Sequence, residues 1–301
     1  MVETSTVVTV FTPTYNRAHL LPNLYKSLQN QTNKNFEWLI VDDGSIDNTE
    51  GVVREWMRVE NSFPIRYYKV PNGGKMRAIN YAASIAEGDL FCGIDSDDWF
   101  YDNAISSILE AFRGIESCRD IVGVSFAKAR NDGDTLNSAV VDTEYVDCKN
   151  YERNSHGLNN DMIQVFYTKT MLKYKIPVWK DEKFTPESVF IDQMALDGLK
   201  MRYFIRAIYA GDYLDGGLTL GSWRLLKDNL MGYAMMYNVQ MQYHPKWKQK
   251  INDVLQFVSC CSLKGEFGYI LNCHYRALAF LLLVPGFFLA QRRKKQLQKY
   301  C

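Results

Sequence analysis

The sequence reads as an α/β protein in which helices cover a mostly parallel sheet, followed by a helical C-terminal extension. Two observations lead there. Through the first 130 residues, short β-branched and apolar runs alternate with segments of helical period, the signature of strand–helix–strand units. The runs that read as strands end in polar clusters, at 12–16, 42–45, 72–75 and 95–98. Parallel sheets bind ligands just beyond the carboxyl ends of their strands, so four clusters on one edge point to a single site.

Each element has its own warrant. Val7-Val8-Thr9-Val10-Phe11 is a buried strand, and Thr12-Pro13-Thr14-Tyr15-Asn16 the turn after it. Ala18 to Gln31 carries Leu20, Leu21, Leu24 and Leu28 on one helix face. Phe36 to Val41 is a second strand, ending at Asp42-Asp43-Gly44-Ser45, and Asp47 to Arg58 the next helix. Ile65 to Val70 is a third strand, closed by Pro71-Asn72-Gly73-Gly74, before an alanine-rich helix over Lys75 to Glu87. Asp89 to Ile94 is a fourth strand, Asp102 to Phe112 a helix and Ile121 to Phe126 a further strand. Beyond it the pattern loosens. Residues 127–150 are polar, with a hairpin turn expected at Asn131-Asp132-Gly133-Asp134. Ile163 to Tyr167 and Tyr203 to Ala210 read as strands, Met194 to Leu199 as helix, and Leu225 to Tyr243 and Ile251 to Leu263 as long amphipathic stretches.

Composition narrows the function classes. With 301 residues, 47% of them hydrophobic, the chain can fill one large core with an appendage. A net charge of +1 supplies no global field for nucleic acid, so none is expected as a partner. Seven cysteines, without paired zinc spacing, read as small apolar residues in a reducing cytoplasm. Met1 leads into polar Glu3-Thr4-Ser5-Thr6, so no secretory signal is expected. Ala277 to Ala290 is nearly all apolar, and Arg292-Arg293-Lys294-Lys295 follow. This run is short for a span of about 20 residues, and Pro285-Gly286 interrupts it. Two readings stand: a buried terminal helix, or an interfacial helix whose basic end meets anionic lipid, giving peripheral membrane association through 277–301.

The chemistry concentrates at Asp95-Ser96-Asp97-Asp98. Alternate side chains of an extended segment share a side, so Asp95 and Asp97 form a carboxylate pair. Such a pair is costly unless a cation or polar ligand offsets it, which suggests a hard metal holding a phosphorylated ligand. Other phosphate-handling and hydrolytic motifs are missing. The first strand is not followed by G-x-G-x-x-G, and the chain has no G-x-x-x-x-G-K-[ST] and no G-x-S-x-G.

What remains is an ordered set of motifs. Phe11-Thr12-Pro13-Thr14-Tyr15-Asn16-Arg17, Trp38 to Asp47 (WLIVDDGSID), Asn72-Gly73-Gly74-Lys75 with Ala78-Ile79-Asn80, and Asp95-Ser96-Asp97-Asp98 follow one another. Together they resemble the inverting nucleotide-sugar glycosyltransferases of family 2, with a GT-A (Rossmann-like) fold. The resemblance implies a GT-A domain over 1–225, with a nucleotide-binding half at 1–130 and an acceptor-side half at 131–225. Residues 226–301 would then be the helical extension. It implies a nucleoside diphosphate sugar as donor, UDP-linked by preference, and a glycan or lipid-linked acceptor. It also implies Mn²⁺ or Mg²⁺ as cofactor and a place in surface-polysaccharide assembly, and the apolar and basic tail suggests that this work is done at the cytoplasmic face of the cell membrane.

Residue by residue, the resemblance makes Asp97 the direct metal ligand, with Asp95 shared between metal and ribose and Ser96 between them. Thr12, Pro13 and Thr14 would line the base and ribose, and Asp42 would accept the base N–H. Asp43 either joins the pocket or fixes its turn. Gly74 allows close backbone approach. Lys75 pairs with the diphosphate, and Arg77 either joins it or is a solvated surface residue. Inversion needs one base to take the acceptor proton. Glu187, in Phe184-Thr185-Pro186-Glu187-Ser188, is the leading candidate, with capping of its helix as the plain reading and Asp192 as the fallback. Many relatives carry Glu-Asp where this chain has Glu187-Ser188. Residues 212–219, with hinge glycines Gly216-Gly217, fall where relatives close a segment over their substrates. The alternative to catalysis is a nucleotide-binding or membrane-recruitment protein that keeps the pocket.

Overall fold

A computed structural model describes residues 7–129, 143–211 and 222–297. It divides into two compact units. The first comprises Met1–Lys175 with Gly198–Asp212, and the second Ile176–Asp197 with Tyr213–Cys301. The hairpin turn expected at 131–134 and the closing segment at 212–219 lie outside the described residues.

The first unit opens as the alternation predicts. Strand β1 (Val8–Thr14), helix α1 (Leu21–Gln29), β2 (Phe36–Asp42), α2 (Thr49–Arg58), β3 (Ile65–Lys69), α3 (Lys75–Ile85) and β4 (Leu90–Gly93) follow in turn. Then come β5 (Asp98–Phe100), α4 (Ala104–Arg113), β6 (Ile121–Ala129), β7 (Tyr145–Cys148), β8 (Met162–Tyr167), α5 (Thr168–Lys173) and, after the chain returns, β9 (Lys200–Gly211). Among the described residues nine strands form one sheet, in the order β3-β2-β1-β4-β8-β6-β9-β5, with β7 also paired to β9. Strands β1, β2, β3, β4, β6 and β9 run one way and β5, β7 and β8 the other. The sheet is thus mostly parallel. Every residue of β2 is buried, as a strand covered on both faces requires.

Side-chain chemistry explains the helices. In α1, Leu21, Leu24 and Leu28 are fully buried against the sheet, and proline sits in the first turn, where a missing N–H costs nothing. In α3, Ala78, Ala82 and Ala83 are buried, and their small side chains bring the helix close to the strands. The core of this unit runs from Val8, Trp38 and Ile40 through Ile105, Phe112, Val124 and Val165.

Strand β1 extends beyond its expected end and takes in Thr12-Pro13-Thr14. Its pairing with β4 stops at Phe11 opposite Gly93, so from Thr12 onward only β2 lies beside it. Pro13 is tolerated there because one side of the strand needs no ladder bond. Strand β6 likewise runs to Ala129, so Lys128, expected in a polar loop, is a buried strand residue, 6% exposed.

In the second unit, α6 (Ser188–Leu196) begins well before the helix expected at 194–199. It has ended by Gly198, whose φ of 88° is left-handed. The stretch 225–243 is two helices, α7 (Ser222–Asp228) and α8 (Leu230–Tyr243), broken at Asn229. The Asn229 amide oxygen accepts the Lys183 and Phe184 N–H groups, and its nitrogen donates to the Leu225 carbonyl. Helix α9 (Trp247–Lys264) follows, and then α10 (Arg276–Leu281) and α11 (Leu283–Leu297). The interruption expected at Pro285-Gly286 falls one turn earlier, at Leu282. Pro285 has no N–H to give the Leu281 carbonyl, so the break appears upstream of the proline that causes it. The core of this unit joins Met231, Ala234, Val254, Phe257, Val258 and Cys261.

Gly232 shows how closely α8 approaches the segment ahead of α6. A Cβ there would lie 2.4 Å from the Phe184 carbonyl oxygen. Gly232→Ala is expected to cost about 1–3 kcal/mol by overpacking against backbone that cannot rotate away. Gly268→Ala, whose Cβ would meet nothing within 4 Å, is the control. Calorimetry should show a midpoint several degrees lower for the first and unchanged for the second.

Candidate active site

The strand order places a crevice. The chain runs outward from β1 through β2 to β3, then crosses back to β4 on the other side of β1. The loops after β1 and β4 therefore leave in opposite directions, opening a gap at their carboxyl ends. Thr12, Pro13, Thr14, Asp42, Asp43, Gly74, Asp95, Ser96 and Asp97 belong to the ends or following turns of β1, β2, β3 and β4, and Lys75 and Arg77 to the first turn of α3, all in this unit.

The turns after β1 and β2 are fastened to each other. Asn16, in the left-handed conformation at φ 54°, accepts the Ile46 N–H on its side-chain oxygen at 2.8 Å, and its own N–H donates to Ser45 Oγ at 2.8 Å. Asp47 accepts the Ala18 and Thr49 N–H groups. Asp42 is fully buried, its carboxylate accepting the Ser45 N–H at 2.7 Å and the Tyr67 hydroxyl. Burial and the Asp42 charge push the Tyr67 phenol well above its ordinary range, so it stays a donor. Thr12 Oγ1 accepts the Trp38 indole N–H at 3.0 Å, and Thr14 Oγ1 is buried without a bonded partner among the described residues. An orphaned buried hydroxyl in this crevice is a place where a ligand would supply the missing bond.

Asp43 carries the glycine turn. Its two oxygens accept the Gly73 and Gly74 N–H groups at 2.7 and 2.8 Å, and its carbonyl accepts the Asn72 amide at 2.7 Å. Gly74, at φ 93°, is the last residue before α3 and adopts a conformation that glycine alone enters cheaply. Of the two readings open for Asp43, the geometry shows the turn-fixing one. Lys75, first in α3, then places its Nζ 2.8 Å from one Asp95 oxygen and 3.1 Å from the other. Burial alone would raise the Asp95 carboxyl. Lys75 outweighs it, with help from Lys128 and Arg17, and holds the group below its ordinary range. The Arg77 guanidinium donates to the Gly73 carbonyl at 2.6 Å, bracing the same turn.

Asp95 to Asp98 form a tight turn, closed by the Asp98 N–H on the Asp95 carbonyl at 3.1 Å, and not the extended segment the sequence suggests. Asp95 and Asp97 are half-buried, and Ser96 and Asp98 are buried. Asp98 opens β5 and meets Lys128 Nζ at 2.8 Å. Burial lifts the Asp98 carboxyl to about 7, against the pull of Lys128 and aided by the charges of Asp95 and Asp97. Gly211, opposite on β9, leaves the room for this pair, because a Cβ there would overlap the Asp98 carboxylate.

The donor set can be tested against a divalent ion. Asp95 is held by Lys75, and Asp97 has no bonded partner among the described residues. Those residues contain no group of three side chains able to hold a metal alone. One or two carboxylates suit Mg²⁺ or Mn²⁺, which complete their shells with phosphate oxygens and water. The residues therefore fit an ion that arrives with a diphosphate, and do not fit an all-protein cage.

Glu187 and Asp192 belong to the second unit. Glu187 is half-buried at the N-cap of α6 and caps no N–H with its side chain. Asp192 is 3% exposed and accepts the Tyr243 hydroxyl at 3.1 Å. Upstream, Glu182 is buried, its carboxylate accepting the Met231 and Gly232 N–H groups at 2.9 Å and pairing with Lys264 at 3.2 Å. With Asn229 it ties residues 182–184 to the start of α8 and so fixes the approach to Glu187. Trp179 packs edge-on against Tyr269, a core contact for one of the aromatics the sequence left open to sugar stacking.

Lys128, Tyr67, Ser45 and Glu182 were not among the site candidates. Each acts through a partner distant in sequence, and only the positions of Ser45 and Asp42 in one short turn offered a local signal.

Residues 9–175 match the family model "Glycosyl transferase family 2", and the chain belongs to that family. Over 106 residues it is 35% identical to a chondroitin synthase of Pasteurella multocida (strain Pm70), covering 35% of this chain and 11% of that protein. The chain spans well under two thirds of the length of the curated relatives it matches. Among solved structures, S. aureus TarS 1-349 in complex with UDP-GlcNAc superposes with a TM-score of 0.59 at 16% identity, covering 96% of this chain and 92% of that one. A mannosyltransferase of Pyrobaculum calidifontis in complex with GDP-Man and Mn²⁺ gives 0.54 at 15% identity, covering 97% and 85%. At such identities the likeness concerns the fold, which is GT-A with a helical C-terminal region.

The Asp98–Lys128 pair yields a stability prediction. Lys128→Met leaves the buried Asp98 carboxyl without its cation, to take up a proton instead, and is expected to cost about 1–3 kcal/mol. Asp98→Asn combined with Lys128→Met removes both charges and should cost less than the single change. Urea titrations of the two variants and the parent measure the difference.

Proposed function

We propose that this protein is a metal-dependent inverting glycosyltransferase. It would move a sugar from a nucleoside diphosphate sugar, UDP-linked by preference, to a hydroxyl of a glycan or lipid-linked acceptor. The observation that carries this reading is the Lys75–Asp95–Asp97 edge at the β1/β4 crevice, one cation and two carboxylates on turns braced by Asp42 and Asp43.

The residues divide the work by chemistry. Backbone groups of Thr12, Pro13 and Thr14 line the base and ribose, and Thr14 Oγ1 beside them is a buried hydroxyl with no bonded partner among the described residues. Asp42 forms the base-side wall, and a remaining lone pair of its bonded carboxylate would take the base N–H. The Lys75 ammonium, which pairs with Asp95, would add its positive charge to the attraction of the diphosphate. Gly73 and Gly74 have given their N–H groups to Asp43, so charge attraction falls to Lys75 rather than to those amides. Asp97, with Asp95, would hold Mn²⁺ or Mg²⁺. When bound, that ion supplies Lewis-acid stabilisation of the charge that grows on the departing diphosphate. Glu187 would accept the acceptor's hydroxyl proton as the sugar carbon is attacked from the face opposite the leaving group. Asp192, buried with its proton donor Tyr243, is the weaker choice of base.

Thermal shift with nucleoside diphosphates and their sugars, with and without Mn²⁺, tests the donor side. A UDP-sugar at about 100 times its Kd should stabilise by about 2.7 kcal/mol, and only with metal. Asp97→Ala is expected to abolish the metal-dependent part. Equal UDP binding by that variant, with and without Mn²⁺, would remove the metal assignment.

Glu187→Gln should leave donor binding intact and lower turnover by about 10²–10⁴-fold. Full turnover in that variant sends the base elsewhere. Donor binding by the unaltered chain with neither transfer nor sugar release favours the non-catalytic reading.

A further inference from the structure

Helices α10 and α11 carry a face of large apolar side chains that nothing in their own unit covers. Leu281, Val284 and Phe288 are 78%, 65% and 67% exposed, and Phe280 and Phe287 are exposed beside them. The opposite face of α11 is firmly seated. A Cβ on Gly286 would lie 2.4 Å from Val258 of α9, Ala290 is 1% exposed, and Arg293 reaches within 3.9 Å of Cys260 Sγ. Helical periodicity orders the rest. Val284, Phe288, Gln291 and Lys295 recur at i, i+4, i+7 and i+11, so the apolar stripe runs straight into the basic end. Arg292, Lys294 and Lys295 are exposed there, and Arg276 to Leu297 contain no acidic residue.

We infer that this face docks on an anionic phospholipid bilayer, with α10 and α11 lying in the plane of the interface. The apolar side chains enter the acyl boundary, and Arg292, Lys294 and Lys295 meet lipid phosphates. Among the described residues no helix is long and apolar enough to cross a membrane, which agrees with lying on the bilayer surface. A second copy of the chain is the poorer occupant, because these helices offer no carboxylate to meet its cations. Of the two readings the sequence left open for 277–290, the seated face answers to the buried helix and the outward face to the interfacial one. The inference does not rest on the glycosyltransferase reading, since it uses no residue of the candidate active site.

Co-sedimentation of the full chain with vesicles tests it. The chain should sediment with phosphatidylcholine vesicles that contain phosphatidylglycerol, and much less with phosphatidylcholine alone or in high salt. Replacing Arg292, Lys294 and Lys295 together by Gln should lower the partition coefficient about 100-fold, at roughly fivefold per charge. Val284→Ser with Phe288→Ser should abolish sedimentation while leaving the circular dichroism spectrum and the unfolding midpoint unchanged. Equal partition into neutral and anionic vesicles overturns the inference, as does unchanged binding by either variant. Self-association without vesicles, lost on Val284→Ser with Phe288→Ser, also overturns it and assigns the face to a second copy.

Discussion

The candidate site depends on one carboxylate that need not touch substrate at all. Asp43 spends both oxygens on the N–H groups of Gly73 and Gly74, the two residues just ahead of α3. That bond pair ties the end of β2 to the start of α3, and α3 begins with the lysine that holds Asp95. A negative group beside a helix N-terminus is favoured by the helix dipole, so the brace is stabilising on its own account. Without it the glycine turn would keep only the Asn72 and Arg77 bonds, and Lys75 would reach the acidic turn from a less firmly fixed origin.

Around that brace the polar groups fall into two sets. Asp42, Asp43, Asn16 and Asp47 satisfy backbone N–H groups that strand ends and turns would otherwise leave bare. Asp95, Asp97 and Lys75 are only half-buried, one cation against two carboxylates, with Lys75 paired to Asp95. Asp98 belongs to neither set. It is buried with Lys128 across β5 and β6, and such pairs add little net stability although removing one partner is costly. The pair does anchor the end of the turn that carries Asp95 and Asp97.

The second unit repeats this logic with different residues. Glu182 and Asn229 satisfy N–H groups where a helix starts and a segment arrives, and Gly232 makes room for the close approach. Glu187 thus sits at a helix start whose approach is fixed by buried bonds, which would help hold it for the role proposed above.

Much of this was legible in the sequence. Apolar periodicity alone separates β1 to β4 from α1 to α4, because each buried face is written in neighbouring residues. The ordered motifs at the strand ends also pointed to one site and one family. The sequence erred where distant partners decide. β1 runs through Pro13 because β4 has already left its side, and Lys128 is a strand residue because β6 pairs with β9 as far as Ala129, with Asp98 to meet its charge. The helix ending at Leu281 breaks for want of an N–H from a proline four residues on. Roles diverged for the same reason: the two adjacent aspartates Asp42 and Asp43 look equivalent in the chain, yet one meets Tyr67 and Ser45 and the other the glycine turn. Local pattern determines which residues can form elements and which chemistry is on hand. Which carboxylate is spent on the fold and which is left open is decided only when tertiary structure supplies, or withholds, a donor within hydrogen-bond reach.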